Sequence, residues 1–145
     1  MKIVSRILII VVLLSLALGF AQKPVEAGGK CPTFLANITH GIDGTRLGLS
    51  QDLPVVVEVY RVTPNAEKLV ASVNLKFKEI FTGELPRGTY LIKVFSVELK
   101  SYVESMTTGP IEIPGCKKVI FQARIMNGVP VINVIVRDWV SQPAS

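Results

Sequence analysis

Apolar and polar residues alternate with a period of two through most of the chain from residue 31 onward. Successive side chains of a strand point to opposite faces, so this period predicts strands with one buried face. Residues 118–126 show it best, because Val119, Phe121, Ala123 and Ile125 are all apolar. Similar alternation predicts strands over residues 33–39, 53–62, 69–77, 80–85, 89–97, 102–106, 110–113 and 129–139.

Turn signals separate these segments. Asn127-Gly128 is the pair that favours a two-residue hairpin, and Pro86 with Gly88 predicts a type I turn. The glycine-rich stretch 40–48 predicts a loop in which His40 faces solvent. Residues 102–106 and 110–113 are the weaker of these strand candidates. Seven to eight short strands predict an all-β fold, an antiparallel, Ig-like β-sandwich.

The first residues have the organisation of a secretory signal peptide. Lys2 and Arg6 precede an apolar run, residues 7–20, that is too short to span a bilayer comfortably. Small residues fit cleavage after Ala21, which we favour, or after Ala27; retention as an anchor is the remaining alternative. We therefore expect a signal peptide helix (1–21), a flexible lead segment (22–30), a β-sandwich domain (31–140) and a tail (141–145).

The expected export bears on the redox state of the two cysteines, Cys31 and Cys116. Outside the cytoplasm, a pair of cysteines most simply forms one disulfide, although two separately buried thiols are the alternative. We expect the protein to be secreted or held at the cell surface, with no membrane contact once the leader is cleaved.

The net charge of the chain does not indicate a nucleic-acid partner. The net charge is +5 at pH 7, but Lys2 and Arg6 belong to the leader. Nucleic-acid binding needs clustered basic residues with aromatic side chains, and the densest basic positions here are the separated pairs Lys76/Lys78 and Lys117/Lys118. We expect these lysines to be solvated, and no nucleic-acid partner.

Catalytic and metal-binding patterns are weak. His40, Asp43 and Ser50 lie close in sequence, but no G-x-S-x-G elbow exists. Asp43 and Asp52 lack the clustered carboxylates of a calcium loop. Glycoside hydrolysis needs a pair of carboxylates. The sequence indicates no recognisable cleft around the three candidates, Glu58, Glu79 and Glu84. We expect no enzyme, no cofactor and no metal.

Two surface features are candidates for recognition. Asn37-Ile38-Thr39 matches the N-glycosylation pattern. Val131, Ile135 and Trp139 share one face of the last strand and form a candidate binding patch, to which Tyr60 or Tyr102 could contribute; the competing interpretation is that Trp139 covers the edge of the core.

Residues 81–94 read Phe-Thr-Gly-Glu-Leu-Pro-Arg-Gly-Thr-Tyr-Leu-Ile-Lys-Val. This segment resembles the leucine-proline-x-glycine-x-tyrosine turn of carboxypeptidase-regulatory-like, or transthyretin-like (prealbumin-like), extracellular β-sandwich modules. Residues 111–125 resemble their closing strand pair. Residues 74–80 lack the family's aspartate and glycine. The resemblance implies a prealbumin-like sandwich and a non-catalytic accessory role.

Together these features predict an exported, non-catalytic β-sandwich module for cell-surface binding or structural support. Its partner would be a protein or a carbohydrate, and it is a candidate homo-oligomer. The alternative is a subunit of an extracellular filament or pilus assembled by strand donation, with residues 127–139 as the better donor. A small hydrolase is a third hypothesis, disfavoured by the missing nucleophile.

Overall fold

The computed structural model describes residues 31–139, which form a two-sheet sandwich. The predicted signal peptide, lead segment and tail lie outside the described residues. Two short 3-10 helices, Gly44–Leu47 and Glu104–Met106, lie in connecting segments. The strands are β1 (Thr33–His40), β2 (Val55–Thr63), β3 (Ala66–Leu75), β4 (Ile80–Pro86), β5 (Gly88–Ser96), β6 (Ser101–Tyr102), β7 (Ile111–Ile113), β8 (Lys117–Met126) and β9 (Val129–Asp138).

The strands divide into two sheets. Sheet 1 has the order β4-β1-β8-β9, and sheet 2 has the order β3-β2-β5-β6, with β7 also pairing with β5. The predicted all-β sandwich is confirmed. The described residues contain nine strands rather than seven or eight, because both weaker candidates form short strands beside β5, β6 with two residues and β7 with three. No helix within residues 31–139 is long and apolar enough to cross a membrane.

The core lies between the sheets and is built from the alternating positions. Burial of apolar side chains on facing strands is the main stabilising contribution to such a sandwich. The predicted inward residues of β1, β2, β5 and β8 are buried: Phe34, Ala36, Ile38, Val55, Val57, Val59, Tyr90, Ile92, Val94, Val119, Phe121 and Ala123. The hairpin is also as predicted, since Asn127 and Gly128 both have positive φ, +54° and +79°.

One strand pair departs from a purely antiparallel sandwich. β1 and β8 run parallel, with Leu35 opposite Lys118. Their starts therefore lie side by side, and the disulfide between Cys31 and Cys116 joins them, with a Cα–Cα distance of 5.3 Å. The Cys116 N–H also donates to the Thr33 carbonyl at 2.9 Å. The expected cross-link thus fixes the two central strands of sheet 1 together.

The chain bends at Arg87, within the predicted turn at Pro86–Gly88, and this bend connects the two sheets. β4 belongs to sheet 1 and β5 to sheet 2, so the chain passes from one sheet to the other at Arg87. The Tyr90 hydroxyl donates to the Pro86 carbonyl at 2.6 Å, in the arrangement known as a tyrosine corner. The guanidinium of Arg61 donates to the Arg87 carbonyl at 3.1 Å and further ties the corner to β2.

Two other strand predictions were wrong in detail. The strand expected over residues 102–106 ends at Tyr102, and Glu104–Met106 form a 3-10 turn that buries Met106. Leu69 was expected inward but is exposed, because the β2–β3 register shifts between Val59 and Tyr60. Relative to the residues on one side of it, an extra residue in a strand reverses the sheet face on which the side chains beyond it lie.

Candidate functional site

His40 is buried, which corrects the prediction that it faces solvent. It continues the inward series of β1 after Ile38. Its Nε2 donates to the Leu53 carbonyl at 2.8 Å, and its Nδ1 accepts from the Ile42 N–H at 3.3 Å. With both nitrogens engaged, the imidazole fastens the loop after β1 and does not contact Ser50, whose hydroxyl donates to Glu98 at 2.7 Å.

The candidate carboxylates do not converge. Glu58 lies on sheet 2 and Glu84 on sheet 1, where the Thr33 hydroxyl donates to it. Asp43 caps the first 3-10 turn, and hydrogen bonds from the Thr45 hydroxyl and N–H lower the pKa of its carboxyl. Within residues 31–139, no three His, Cys, Asp or Glu side chains come together in a way that could hold a metal ion.

A cluster that sequence reasoning did not assemble lies on the outer face of sheet 2. The hydroxyls of Tyr60 and Tyr102 both donate to Oε1 of Glu58, at 2.8 Å and 3.0 Å. The Lys93 ammonium lies 4.7 Å from the centre of the Tyr60 ring and 3.5 Å from Glu67. We call Glu58, Tyr60, Lys93 and Tyr102 the tyrosine–carboxylate cluster.

Register explains why these side chains meet. Glu58 and Lys93 are opposite each other on β2 and β5, and two-residue β6 brings Tyr102 beside Phe95. The Phe95 and Tyr102 rings pack edge to face with centres 5.2 Å apart. Tyr102 is separated from Glu58 by 44 residues, so no local motif could have indicated their contact.

Hydrogen bonding to Glu58 changes how the two phenols titrate. Donation to the carboxylate, assisted by partial burial, raises the pKa of Tyr60 to about 12. The same hydrogen bond raises the pKa of Tyr102. Both hydroxyls therefore stay protonated at neutral pH, and they hold the Glu58 carboxylate in a fixed orientation. Its other oxygen, Oε2, receives no hydrogen bond from residues 31–139.

A shallow groove of about 520 Å³ adjoins the cluster. We call it the β6 groove, and it shares Lys93 and Tyr102 with the cluster. Its other lining residues are Glu104, Thr107, Thr108 and Gly109. Hydroxyl, carboxylate and ammonium groups thus surround one exposed aromatic ring, and a bound molecule could receive and donate several hydrogen bonds.

A second, apolar cavity of about 60 Å³ lies between the sheets near Ile38 and Leu53. It is smaller than the cavity of about 150 Å³ that admits benzene in an engineered protein core. His40 bonds to Leu53 and Ser96 accepts from Leu99, whereas the buried Thr39 hydroxyl, which also lines the cavity, has no hydrogen-bond partner among residues 31–139. The cavity is a feature of core packing.

The predicted patch and the glycosylation candidate lie on sheet 1. Val131 and Ile135 of β9, and Trp139 just after it, are half-buried at intervals of four residues. Ile132 and Val134 pack against the core from the other face. Tyr60 and Tyr102, suggested as extra members, lie on sheet 2 instead, because β2 and β6 belong there.

Asn37 faces outward in the middle of sheet 1. Its amide donates to the Thr82 hydroxyl at 3.1 Å. Neither glycosylation at Asn37 nor binding by Val131, Ile135 and Trp139 follows from these positions, and both stay predictions.

No family model matches the chain, and no curated protein matches it. Solved structures resemble it only in fold. One is the T6SS lipoprotein TssJ1 from Pseudomonas aeruginosa, with 12% identity and a TM-score of 0.49, covering 79% of this chain and 99% of that one.

Two candidate cell adhesion proteins are also similar. The one from Bacteroides uniformis has 15% identity and a TM-score of 0.44, covering 77% of this chain and 52% of that one. The one from Bacteroides ovatus has 8% identity and a TM-score of 0.39, covering 79% and 47%. This chain therefore spans about half the length of each. The resemblance to carboxypeptidase-regulatory-like modules stays a prediction, and these likenesses assign no function.

Proposed function

We propose that the protein is an exported, non-catalytic module that binds a carbohydrate at the cell surface through the β6 groove and the tyrosine–carboxylate cluster. The observation that carries the proposal is the pair of hydrogen bonds from Tyr60 and Tyr102 to one oxygen of Glu58. They preorganise a carboxylate whose second oxygen is free to accept from a ligand hydroxyl.

Export is supported by the predicted signal peptide and by the Cys31–Cys116 disulfide. Disulfides persist in oxidising compartments and are rare in the cytosol. A non-catalytic role is supported by the placement of the candidate groups, since buried His40 bonds to Leu53 and Ser50 bonds to Glu98.

A carbohydrate fits the groove better than an apolar ligand does. Sugars combine hydroxyl groups with apolar C–H faces, which pair with carboxylates and with aromatic rings respectively. Tyr102 is 49% exposed and forms the aromatic wall, while Glu104 and Thr107 supply polar groups around it. The volume of about 520 Å³ lies within the usual range for small-ligand sites.

The filament alternative receives less support. Its better donor, the segment 127–139, is already paired with β8 over the whole length of β9, from Met126–Val129 to Lys117–Asp138. The Asn127–Gly128 turn has the backbone that favours this local pairing. Strand donation would first have to break that complete ladder.

An oligosaccharide array probed with the secreted protein tests the proposal, followed by calorimetric titration of the sugars that bind. Glu58→Gln should weaken binding about 10-fold, because a hydrogen bond to a charged group is replaced by a neutral one. Gly109→Trp should abolish binding by filling the groove. A Cβ at Gly109 has no atom within 4 Å, so the fold should tolerate the larger side chain.

Asp52→Asn is the matched control, since Asp52 is an exposed carboxylate in the loop before β2. It should leave binding unchanged, and urea midpoints should show that all three variants fold. A blank array, or binding that survives both Glu58→Gln and Gly109→Trp, would overturn the carbohydrate proposal.

A further inference from the structure

β9 forms an edge of sheet 1 and has β8 as its single neighbour among residues 31–139. Two hydrogen bonds define which of its backbone groups face outward. The Trp139 N–H donates to the Cys116 carbonyl at 3.0 Å, across the β8 side. The Ser105 hydroxyl donates to the Pro130 carbonyl at 2.6 Å from the opposite side.

Backbone groups of an antiparallel strand point alternately to its two sides. Odd-numbered residues of β9 therefore pair with β8, and even-numbered residues face the free edge. No bulge interrupts the β8–β9 register, so this alternation holds along the strand. Four residues consequently present N–H and C=O groups without a strand partner in the described chain: Ile132, Val134, Val136 and Asp138.

This edge is protected only near its two ends, by Pro130 with the adjoining 3-10 turn Glu104–Met106 and by Arg137 with Asp138. Charged side chains, proline and glycine normally prevent an edge strand from pairing with another chain. β3 carries Glu67 and Lys68, and β4 carries Glu84 and Pro86. In β9 no charged residue occurs from Val129 to Val136, and Val136 is 52% exposed.

The outward face of β9 has a pattern that complements itself. Val131, Ile135 and Trp139 recur at intervals of four residues and are centred on Ile135. The polar residues Asn133 and Arg137 alternate with them. On this face, an antiparallel strand of the same sequence, related by a two-fold axis at Ile135, would therefore place apolar against apolar and polar against polar residues. On the other face, Val134 would lie opposite Val136 and Ile132 opposite Asp138.

We propose that β9 pairs with β9 of a second copy about a two-fold axis at Ile135, which joins the two four-stranded sheets into one. Val134 of each copy then exchanges hydrogen bonds with Val136 of the other, and Ile132 does so with Asp138. On the outer face, Ile135 lies opposite its own copy and Val131 lies opposite Trp139. This pairing uses all four free backbone positions and covers exposed Val136.

The self-complementary spacing of Val131, Ile135 and Trp139 favours a second copy of the chain as the partner of β9 over an unrelated strand. An unrelated strand would complete the backbone hydrogen bonds equally well, but it would have no reason to match intervals of four residues centred on Ile135. The surface is separate from the β6 groove, which lies on sheet 2, so this inference does not depend on the proposed carbohydrate binding.

Cysteine scanning of the secreted protein tests the pairing and its register. At a non-hydrogen-bonded antiparallel pair the Cα atoms are about 4.5 Å apart, within the range for a disulfide. Ile135→Cys should therefore cross-link to itself on mild oxidation. Val134→Cys should not, because Val134 lies opposite Val136, and Ile120→Cys on β8 is a matched control one strand away from the edge.

Sedimentation across a range of concentrations provides a second, non-covalent measurement. The protein should show a monomer–dimer equilibrium, and Ile135→Lys should raise its dissociation constant about 10-fold or more by placing two like charges together. Thr82→Lys, on the opposite edge strand, should leave it unchanged. A monomer at every concentration with no Ile135→Cys dimer overturns the proposal, and self-cross-linking at Val134→Cys alone overturns this register.

Discussion

The Tyr90 hydroxyl donates a hydrogen bond to the carbonyl of Pro86, four residues earlier, where the chain passes between the two sheets. The Tyr90 ring is buried and packs edge to face on Phe34, with centres 5.4 Å apart. One side chain thereby connects the corner, the core and the first strand.

Removing that hydroxyl should cost stability without opening a cavity. Tyr90→Phe keeps the ring but leaves the Pro86 carbonyl without this donor, so the free energy of unfolding should fall by about 1 kcal/mol. Urea denaturation measures the change. Tyr102→Phe, which also deletes a phenol but at an exposed site, should change stability less; an equal loss in both variants would contradict the role of the corner.

The disulfide should make a large contribution to stability. It joins residues 85 positions apart, so in the chain-entropy model its loss should destabilise the fold by roughly 4.5 kcal/mol. Reductant should lower the urea midpoint of the native protein accordingly. The double variant Cys31→Ala, Cys116→Ala should start at that lower midpoint and show no response to reductant.

Alkaline titration should reveal the tyrosine–carboxylate cluster. The pKa of Tyr60 is raised from 10.0 to about 12 because its hydroxyl donates to Glu58. A raised pKa in the folded state means that the associated stability is present below pH 10 and is lost as the pH rises through about 12.

Ultraviolet titration of phenolate formation should follow this change. In Glu58→Gln the neutral amide replaces the charged acceptor, so Tyr60 should titrate closer to pH 10. The same variant should also bring down the raised pKa of Tyr102. If the titration curve of Glu58→Gln coincided with that of the unchanged protein, Glu58 would not be the acceptor for these phenols.

His40 should stabilise the loop that follows β1. His40→Ala removes the donor to the Leu53 carbonyl and the acceptor for the Ile42 N–H, and it empties part of the core. We expect a loss of about 3 kcal/mol, with faster hydrogen exchange at Ile42. Asp43→Ala in the same loop should cost less, because it removes only a cap of a short 3-10 turn and no part of the core.

Periodicity predicted the inward faces of the long strands, because each buries one side against the other sheet. It also contained a signal for His40, which follows Phe34, Ala36 and Ile38 at the same spacing, but the adjoining glycine-rich loop outweighed it. The sheet change at Arg87 was not predictable from composition, since a proline-glycine segment suits a hairpin and a corner equally well.

The pairing of strands that are distant in sequence could not be predicted from the sequence. The parallel pairing of β1 with β8 depends on which strands become neighbours, and the contact of Glu58 with Tyr102 depends on a two-residue strand. The bulge that turns Leu69 outward consists of one unpaired residue, Val70, in a segment whose alternation looks regular. Such features are decided by packing between distant segments.

The adjacency of β1 and β8 has a consequence for the order in which the chain can fold. β1 pairs with β8, which is synthesised more than 70 positions later. Sheet 1 therefore stays incomplete until most of the polypeptide has been made. Contacts between distant segments form slowly because long loops must close first. Under the proposed export, a newly made chain should accordingly remain unfolded enough to pass through a translocation pore and complete sheet 1 afterwards.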